Sequence, residues 1–147
     1  FLSDLVFYAL KPLWRPLFRA GKRLLVIGHR LMTNLFNVQT LLTYEKSLGK
    51  AEILELWRLF VHETENTFSQ IQTSLAKDDV SALRTCYHRL HPAAKVFGLD
   101  SFAFLCAKIE HNLVNSSTAQ LKDDIQQSFS LWQQSFSAVA LYLECAS

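Results

Sequence analysis

One histidine, His88, stands in a segment whose basic residues recur at helical spacing. If this segment is helical, Arg84, His91 and Lys95 lie on the same face of the helix as that histidine. Apolar residues on the adjoining stripe can pack inward: Leu83, Tyr87, Leu90 and Ala94. An imidazole is a good nucleophile near neutral pH because its reference pKa is about 6.5, and nearby cations offset the charge of a phosphoryl group. The spacing therefore favours phosphoryl chemistry on His88.

The rest of the chain must supply the elements that hold this face, and its composition favours helices. Its 147 residues include only four glycines and three prolines, too few for a fold with many tight turns. Apolar residues recur at steps of three and four from Ile53 to Leu75, which predicts one long amphipathic helix. Asp78 or Asp79 is then placed to cap the helix that carries His88.

Two more helices are predicted after the histidine helix. Gly98 offers a permissive turn position, and Asp100 or Ser101 can cap a helix that runs to about Leu113. A polar loop follows, and the last helix begins at about Gln120. Short links between long helices imply antiparallel neighbours. We therefore expect an all-α protein, an antiparallel four-helix bundle with an N-terminal helical extension.

The N-terminal part differs from the rest in charge and composition. Residues 1–40 carry six Lys/Arg and one acid, whereas residues 41–147 carry nine bases and twelve acids. Bases interrupt the apolar N-terminal stretch, so we expect neither a membrane span nor a secretion signal there. We interpret residues 1–37 as a basic, apolar helical extension or linker that packs on the bundle of residues 38–147 or on an upstream domain. Contact with an anionic membrane surface is the less favoured alternative.

The cysteines and histidines do not follow a metal-binding pattern. Three cysteines make an odd number, which is typical of free thiols in a reducing, cytoplasmic compartment. The spacing of the residues that could be imagined as zinc ligands fits no paired Cys/His pattern: Cys86, His88, His91, Cys106 and His111. We therefore predict no metal site in this chain.

The segment His88-Arg89-Leu90-His91-Pro92 is followed by Gly98, ten places after the histidine, and then by Phe102, Cys106, Ile109 and Glu110. In this register, roughly residues 38–145 resemble the histidine-containing phosphotransfer (HPt) domains of phosphorelays. The histidine motif of that family is His-x-Leu-Lys-Gly, followed by a glycine ten places after the histidine and then by a hydrophobic-x3-Cys-x2-hydrophobic-Glu run. The spacing agrees throughout, so the resemblance depends on several signals in one register.

This resemblance implies a relay function for His88. In such domains the exposed histidine nitrogen, Nε2 of His88 by analogy, accepts a phosphoryl group from an aspartate of a receiver domain and passes it to another receiver. The residues expected to face the phosphoryl group or the receiver are Arg84, Arg89, His91, Pro92 and Lys95. Magnesium would belong to the partner receiver. We therefore expect this chain to have no cofactor, no kinase catalytic site of its own and no nucleic-acid partner.

Two departures from the family motif stand next to His88. His91 replaces the usual lysine, a constant cation, with a titratable one. Pro92 replaces the usual glycine and removes the helix hydrogen bond to the His88 carbonyl, at a cost of about 3 kcal/mol unless a kink absorbs it. Two alternatives to a relay intermediate stay open. One is a pseudo-HPt interaction module that binds a receiver without efficient transfer, and the other is a membrane-associated adaptor built around the basic N-terminus.

The first residue, Phe1, is not a methionine. We take this to favour the C-terminal HPt domain of a hybrid sensor histidine kinase over a free protein. The expected location is cytoplasmic, either free or tethered to the inner face of the membrane as part of such a kinase.

Overall fold

The computed structural model describes residues 35–145, and these residues form five helices with no strand among them. In chain order the helices are α1 (Val38–Leu48), α2 (Lys50–Ala76), α3 (Val80–Val96), α4 (Asp100–Asn112) and α5 (Lys122–Cys145). The prediction of an all-α protein with a helical bundle is confirmed. Helices α2 to α5 were predicted from the sequence, whereas α1 was not. The N-terminal extension predicted over residues 1–37 lies almost entirely outside the described residues, which belong to one compact unit that begins at Leu35.

The long helix α2 and its junction with α3 agree with the sequence pattern. One face of α2 is buried along its length, as the three-and-four spacing predicts: Ile53, Trp57, Phe60, Thr64, Thr67, Phe68, Ile71 and Ser74. Asp79 is the N-cap of α3, and its carboxylate accepts a hydrogen bond from the Ala82 N–H at 3.1 Å. Asp78 has a φ of +52°, and its carboxylate accepts a 2.6 Å hydrogen bond from the Thr118 hydroxyl. The α2–α3 turn is therefore tied to the loop that leads into α5.

Gly98 forms the turn between α3 and α4 and is packed against the start of α1. Its φ is +74°, a left-handed conformation that side chains other than glycine rarely adopt. The Asn37 N–H donates to the Gly98 carbonyl at 2.8 Å, and a Cβ on this glycine would lie 2.8 Å from the Asn37 carbonyl oxygen. Both the backbone angle and the close approach therefore require glycine at this position.

The predicted cap of α4 is wrong. The N-cap is Leu99, which makes no side-chain capping hydrogen bond, and Asp100 is already the first helical residue. Leu99 is fully buried, and its carbonyl accepts the Ala103 N–H at 2.8 Å. Packing of Leu99 therefore sets the start of this helix, while the Asp100 carboxylate lies in the first turn, where the helix dipole favours negative charge.

The core is centred on aromatic side chains from three elements. Phe97 lies just after α3, with its ring centroid 4.7 Å from that of Phe60 and 5.3 Å from that of Trp57 on α2. Trp132 of α5 contacts both α2 rings, with centroid distances of 5.5 Å to Phe60 and 6.3 Å to Trp57. Aromatic pairs at such distances contribute roughly 0.5–1.5 kcal/mol beyond the area that they bury. This cluster holds the end of α3 against α2 and α5.

A buried polar contact joins α3 to α5. The hydroxyl groups of Tyr87 and Ser128 lie 2.9 Å apart, and the Ser128 hydroxyl also donates to the Ile125 carbonyl at 2.6 Å. The Ser128 hydroxyl can therefore accept a hydrogen bond from the Tyr87 hydroxyl while it donates its own hydrogen bond within α5. Burial raises the pKa of Tyr87 well above its ordinary value, so this phenol stays protonated.

None of the helices in the described part of the chain combines the length and the apolar character that crossing a membrane requires.

Candidate functional site

Helix α3 separates a buried stripe from an exposed one. The inward residues are Leu83, Cys86, Tyr87, Leu90 and Ala94. The outward residues include the candidates named from the sequence: Arg84, His88, Arg89, Pro92 and Lys95 are exposed, and His91 is intermediate. The helix continues through Pro92 to Val96. The inward stripe thus fixes the rotation of α3, and this rotation directs His88 to solvent.

The side chain of His88 is oriented by a carboxylate from the neighbouring helix. Its Nδ1 lies 2.7 Å from Oε1 of Glu110 on α4. An ionised carboxylate only accepts hydrogen bonds, so Nδ1 carries the proton and donates it. The His88 side chain is 68% exposed, whereas that of Glu110 is 18% exposed. The arrangement therefore leaves the second ring nitrogen, Nε2, without the proton in the neutral ring.

Glu110 holds a second histidine as well. Its Oε2 lies 3.0 Å from Nε2 of His91, and the His91 side chain is 27% exposed. The rings of His88 and His91 are 5.7 Å apart between centroids and meet edge to face. The two histidines are three residues apart on one face of α3, and the short turn at Gly98 brings α4 back alongside them. One carboxylate therefore fixes both imidazoles.

The contact of Glu110 with His88 and His91 was not predicted from the sequence. The residue was identified only as the last position of the family motif, 22 residues from His88 along the chain. A signal was present, since α3 and α4 were predicted as antiparallel neighbours and the glutamate lies one residue after the buried Ile109. The pairing itself depends on the rotation of α4, which the spacing alone did not determine.

Arg89 lies on a different side of α3 from His88. Its Nη2 donates a 2.7 Å hydrogen bond to Oε1 of Gln70 on α2. The Sγ of Cys86 lies 4.0 Å from the same nitrogen. These contacts direct the guanidinium into a groove between α2 and α3, so it is held away from the His88–Glu110 contact.

Arg84 and Lys95 remain the basic residues on the His88 face. Both are exposed, and within residues 35–145 neither side chain forms an ion pair. They stand about one turn before and two turns after His88, so their flexible side chains can approach an anion bound there. Pro92 is exposed one turn after His88 on the same side, where it presents a rigid ring to any partner.

The residues considered as zinc ligands from the sequence are only partly brought together. Cys86 and Cys106 are free thiols in the buried part of the bundle, and burial raises the pKa of Cys106. In the described part of the chain, the group of metal-ligand side chains that does converge consists of His88, His91 and Glu110, whose donor atoms all lie within 4.8 Å of one another. Cys106 is therefore a packing residue, and the histidine pair gains a carboxylate that the spacing argument did not include.

Comparison with known proteins gives one match. The family model described as Hpt domain matches residues 55–141, which is more than half of the chain and includes both His88 and Glu110. Searches of the curated proteins and of the solved structures give no match. The matched span runs from the first part of α2 to the last part of α5, so it contains the helices that form the core around the site.

Proposed function

Because this chain belongs to the Hpt domain family, we propose that it carries a phosphoryl group on His88 as an intermediate of a phosphorelay. Phosphotransfer between receiver domains is the activity that membership of this family implies. The observation that carries the assignment to His88 is its exposed ring, whose Nδ1 is held by the Glu110 carboxylate. Phosphohistidine chemistry needs one ring nitrogen with a free lone pair facing solvent, and this contact supplies it.

The hydrogen bond to Glu110 selects the reactive tautomer. A neutral imidazole has one N–H and one lone pair. With the proton on Nδ1 and directed to Oε1 of Glu110, the lone pair of Nε2 faces outward. A tautomer with the proton on Nε2 would lose the 2.7 Å hydrogen bond and place two acceptors in contact. Glu110 therefore acts as a positioning residue for the nucleophile.

The transfer step follows from this arrangement. The Nε2 lone pair attacks the phosphorus of an aspartyl phosphate on the receiver. An N–P bond forms, the O–P bond to the aspartate breaks, and the aspartate leaves as a carboxylate. The imidazole ring becomes cationic because Nδ1 keeps its proton, and the adjacent Glu110 carboxylate stabilises this charge through a charge-assisted hydrogen bond. Transfer to a second receiver reverses the same bond changes.

Cations beside His88 would stabilise the phosphoryl oxygens. Arg84 and Lys95 are the candidates, since both are exposed and belong to the same face. We assign the Mg²⁺ that such a transfer uses to the partner receiver. The exposed face of α3 around His88 is the proposed docking surface for that receiver, with Pro92 and His91 at its edge.

A second candidate function is a pseudo-HPt module that binds a receiver without efficient transfer. The observation in its favour is the local chemistry one turn after His88. Pro92 adds an exposed ring where the family has glycine, and His91 donates to Glu110 where the family has a lysine. These two residues leave the nucleophile in place but change the surface that a receiver must approach.

The relay is tested by phosphoryl transfer from a receiver. The purified chain is incubated with Mg²⁺ and a receiver domain that carries radiolabelled aspartyl phosphate, and label that is acid-labile and base-stable is measured on the chain. His88→Gln removes the proposed nucleophile. His62→Gln is the matched control, because His62 is an exposed histidine on α2 that contacts Asn66 of the same helix, outside the cluster of His88, His91 and Glu110.

Label on the native chain and on His62→Gln, but not on His88→Gln, is the expected result. Receiver binding without label on any chain would instead favour the pseudo-HPt module. Label that persists on His88→Gln would contradict the assignment of the nucleophile.

The cellular context of the domain is a separate proposal. We propose that it works in the cytoplasm as part of a hybrid sensor kinase. Immunoblotting of extracts from the native cells tests this, since the proposal expects a band far larger than 16.9 kDa. A band of about this size in the cytosol would contradict it.

A further inference from the structure

We propose that His88, His91 and Glu110 form a binding site for Zn²⁺ and that the bound ion prevents His88 from accepting a phosphoryl group. The first half of this inference concerns metal binding alone, and the second half rests on the proposed function. It departs from the sequence-based expectation of no metal site, which considered the cysteines and histidines without Glu110.

The donor set suits zinc. Two imidazole nitrogens and one carboxylate oxygen, with a fourth position left for water, are a ligand combination found in open zinc sites. Nitrogen donors disfavour Mg²⁺, which prefers oxygen ligands and keeps much of its water shell. The magnesium needed for phosphoryl transfer is therefore not expected to compete for these residues.

The geometry is close to what an ion requires. The Glu110 oxygens lie 2.7 Å from Nδ1 of His88 and 3.0 Å from Nε2 of His91. All the donor atoms fall within 4.8 Å of one another. Ligand bonds of about 2.0–2.2 Å in a tetrahedral site set neighbouring donors roughly 3.3–3.6 Å apart. Small side-chain rotations can therefore convert the two hydrogen bonds into three metal bonds without a change in the helices.

Access and charge indicate a reversible site. The His88 side chain is 68% exposed, so an ion can enter from solvent and keep a water ligand. Arg84 and Lys95 belong to the same exposed face, and their positive charges repel a bound Zn²⁺ ion and lower its affinity. We therefore expect occupancy that follows the free zinc concentration rather than a permanent structural ion.

Zinc at this site would change the tautomer of His88. Coordination uses the Nδ1 lone pair, so in the neutral ring the proton moves from Nδ1 to Nε2. The nitrogen proposed to attack phosphorus then carries a proton and has no free lone pair. No net proton is released when a neutral ring binds. The ion thus inhibits transfer by binding Nδ1, although it does not cover Nε2.

Zinc binding is tested first, without any phosphoryl donor. The full chain is titrated with Zn²⁺ alone by isothermal calorimetry, in a buffer that does not bind zinc. Glu110→Gln and His91→Ala each remove one ligand, and His62→Ala is a matched control that removes a histidine outside the cluster. We expect one ion per chain and an affinity reduced by about tenfold or more in both ligand variants, since even outer partners of a ligand change metal affinity by 10–100-fold.

Two further measurements check the folding of the variants and the tautomer of His88. Far-UV circular dichroism confirms that each variant keeps its helices, and ¹⁵N shifts of the His88 ring report whether zinc moves the proton to Nε2. Absence of zinc binding, or binding that both ligand variants leave unchanged, would overturn the site. Binding without a His88 tautomer change would overturn the inhibitory mechanism.

Transfer assays then separate the two proposals. The ratio of label with zinc to label without zinc is measured for the native chain and for His91→Ala. A ratio that falls only in the native chain supports inhibition at this site, whereas an equal fall in both places the zinc effect on the receiver and contradicts it. A chain that binds zinc through these residues but never accepts label retains the metal site while the relay function fails.

Discussion

Tyr87 and His88 are adjacent on α3, and each forms a hydrogen bond to a different helix, yet their surroundings are opposite. The Tyr87 hydroxyl contacts Ser128 of α5 at 2.9 Å and is fully buried. His88 contacts Glu110 of α4 at 2.7 Å with most of its ring in solvent. The first contact satisfies a polar group inside the bundle. The second orients a ring whose other nitrogen is free to react.

Burial therefore distinguishes a contact that stabilises the fold from one that lies on the surface proposed to accept the phosphoryl group. Burial raises the pKa of Tyr87, which removes its proton from any reaction near neutral pH. His88 is one residue further along, about 100° around the helix, and that rotation is enough to turn it outward.

The largest expected effect is at His88, where a substitution should remove activity but leave the fold stable. We predict that His88→Gln abolishes phosphoryl acceptance and lowers the free energy of unfolding by no more than about 1.5 kcal/mol, because the ring is largely exposed and only its hydrogen bond to Glu110 is at stake. The transfer assay and urea unfolding of the same preparation measure both quantities. A loss of stability well beyond this range would show that His88 also supports the fold.

Glu110→Gln should have the next largest effect. The amide oxygen can still accept a hydrogen bond from Nδ1. It carries no charge, however, so it cannot neutralise the cationic ring that forms during transfer. A hydrogen bond to a charged group contributes about 1.5–3 kcal/mol, so we predict transfer roughly tenfold to a hundredfold slower. Single-turnover kinetics measure the rate, and the ¹⁵N shifts of His88 should show a greater population of the tautomer with the proton on Nε2. Unchanged kinetics and tautomer would remove Glu110 from the mechanism.

On the buried side, alkaline pH should destabilise the bundle through Cys106. Burial raises the pKa of this thiol above its ordinary value of 9.0. The unfolded chain then loses the proton while the folded chain keeps it, so the stability contribution is full below about pH 9 and is lost as the pH rises further. This one group can remove up to about 1.4 kcal/mol per pH unit.

Urea unfolding between pH 8 and pH 10 tests that loss. Cys106→Ala should be less stable at pH 8 because it leaves a small cavity, but its stability should fall less steeply with pH. Equal slopes for the two chains would contradict the role of the buried thiol.

Tyr87→Phe should have the smallest effect. The variant keeps the ring but removes the hydroxyl that contacts Ser128, and the net contribution of such a hydrogen bond is about 0.5–1.5 kcal/mol. We predict a loss of stability of this size, measured by thermal unfolding, with phosphoryl acceptance unchanged at a temperature where the variant is folded. A large loss of transfer would indicate that the Tyr87 contact also controls the His88 face.

The elements around the site were predictable because their signals are local. The spacing from Ile53 to Leu75 predicted α2, and the capping residue Asp79 marked the start of α3. Helix α1 was missed because its inward face is weak: Leu41 is its one buried residue. The cap of α4 was mistaken because burial of Leu99, rather than a polar side chain, fixes that helix start.

Some features of the site were likewise predictable from local sequence, and others were not. His88 could be identified from a motif within one helix. Its contact with Glu110 and the turn of Arg89 toward Gln70 could not, since each depends on how a second helix is rotated against α3. The roles predicted for Arg84, Arg89, His91, Pro92 and Lys95 toward a receiver stay predictions, because they concern a surface that only a partner would cover.

The central claim is that Nε2 of His88 takes the phosphoryl group while Glu110 holds Nδ1, and nuclear magnetic resonance tests it most directly. The chain is labelled with ¹⁵N in its histidine rings, phosphorylated by a receiver, and examined for coupling between phosphorus and ring nitrogen. We predict that coupling appears at Nε2 of His88 and that its Nδ1 remains protonated. Coupling at Nδ1 of His88, or at either nitrogen of His91, would contradict the claim.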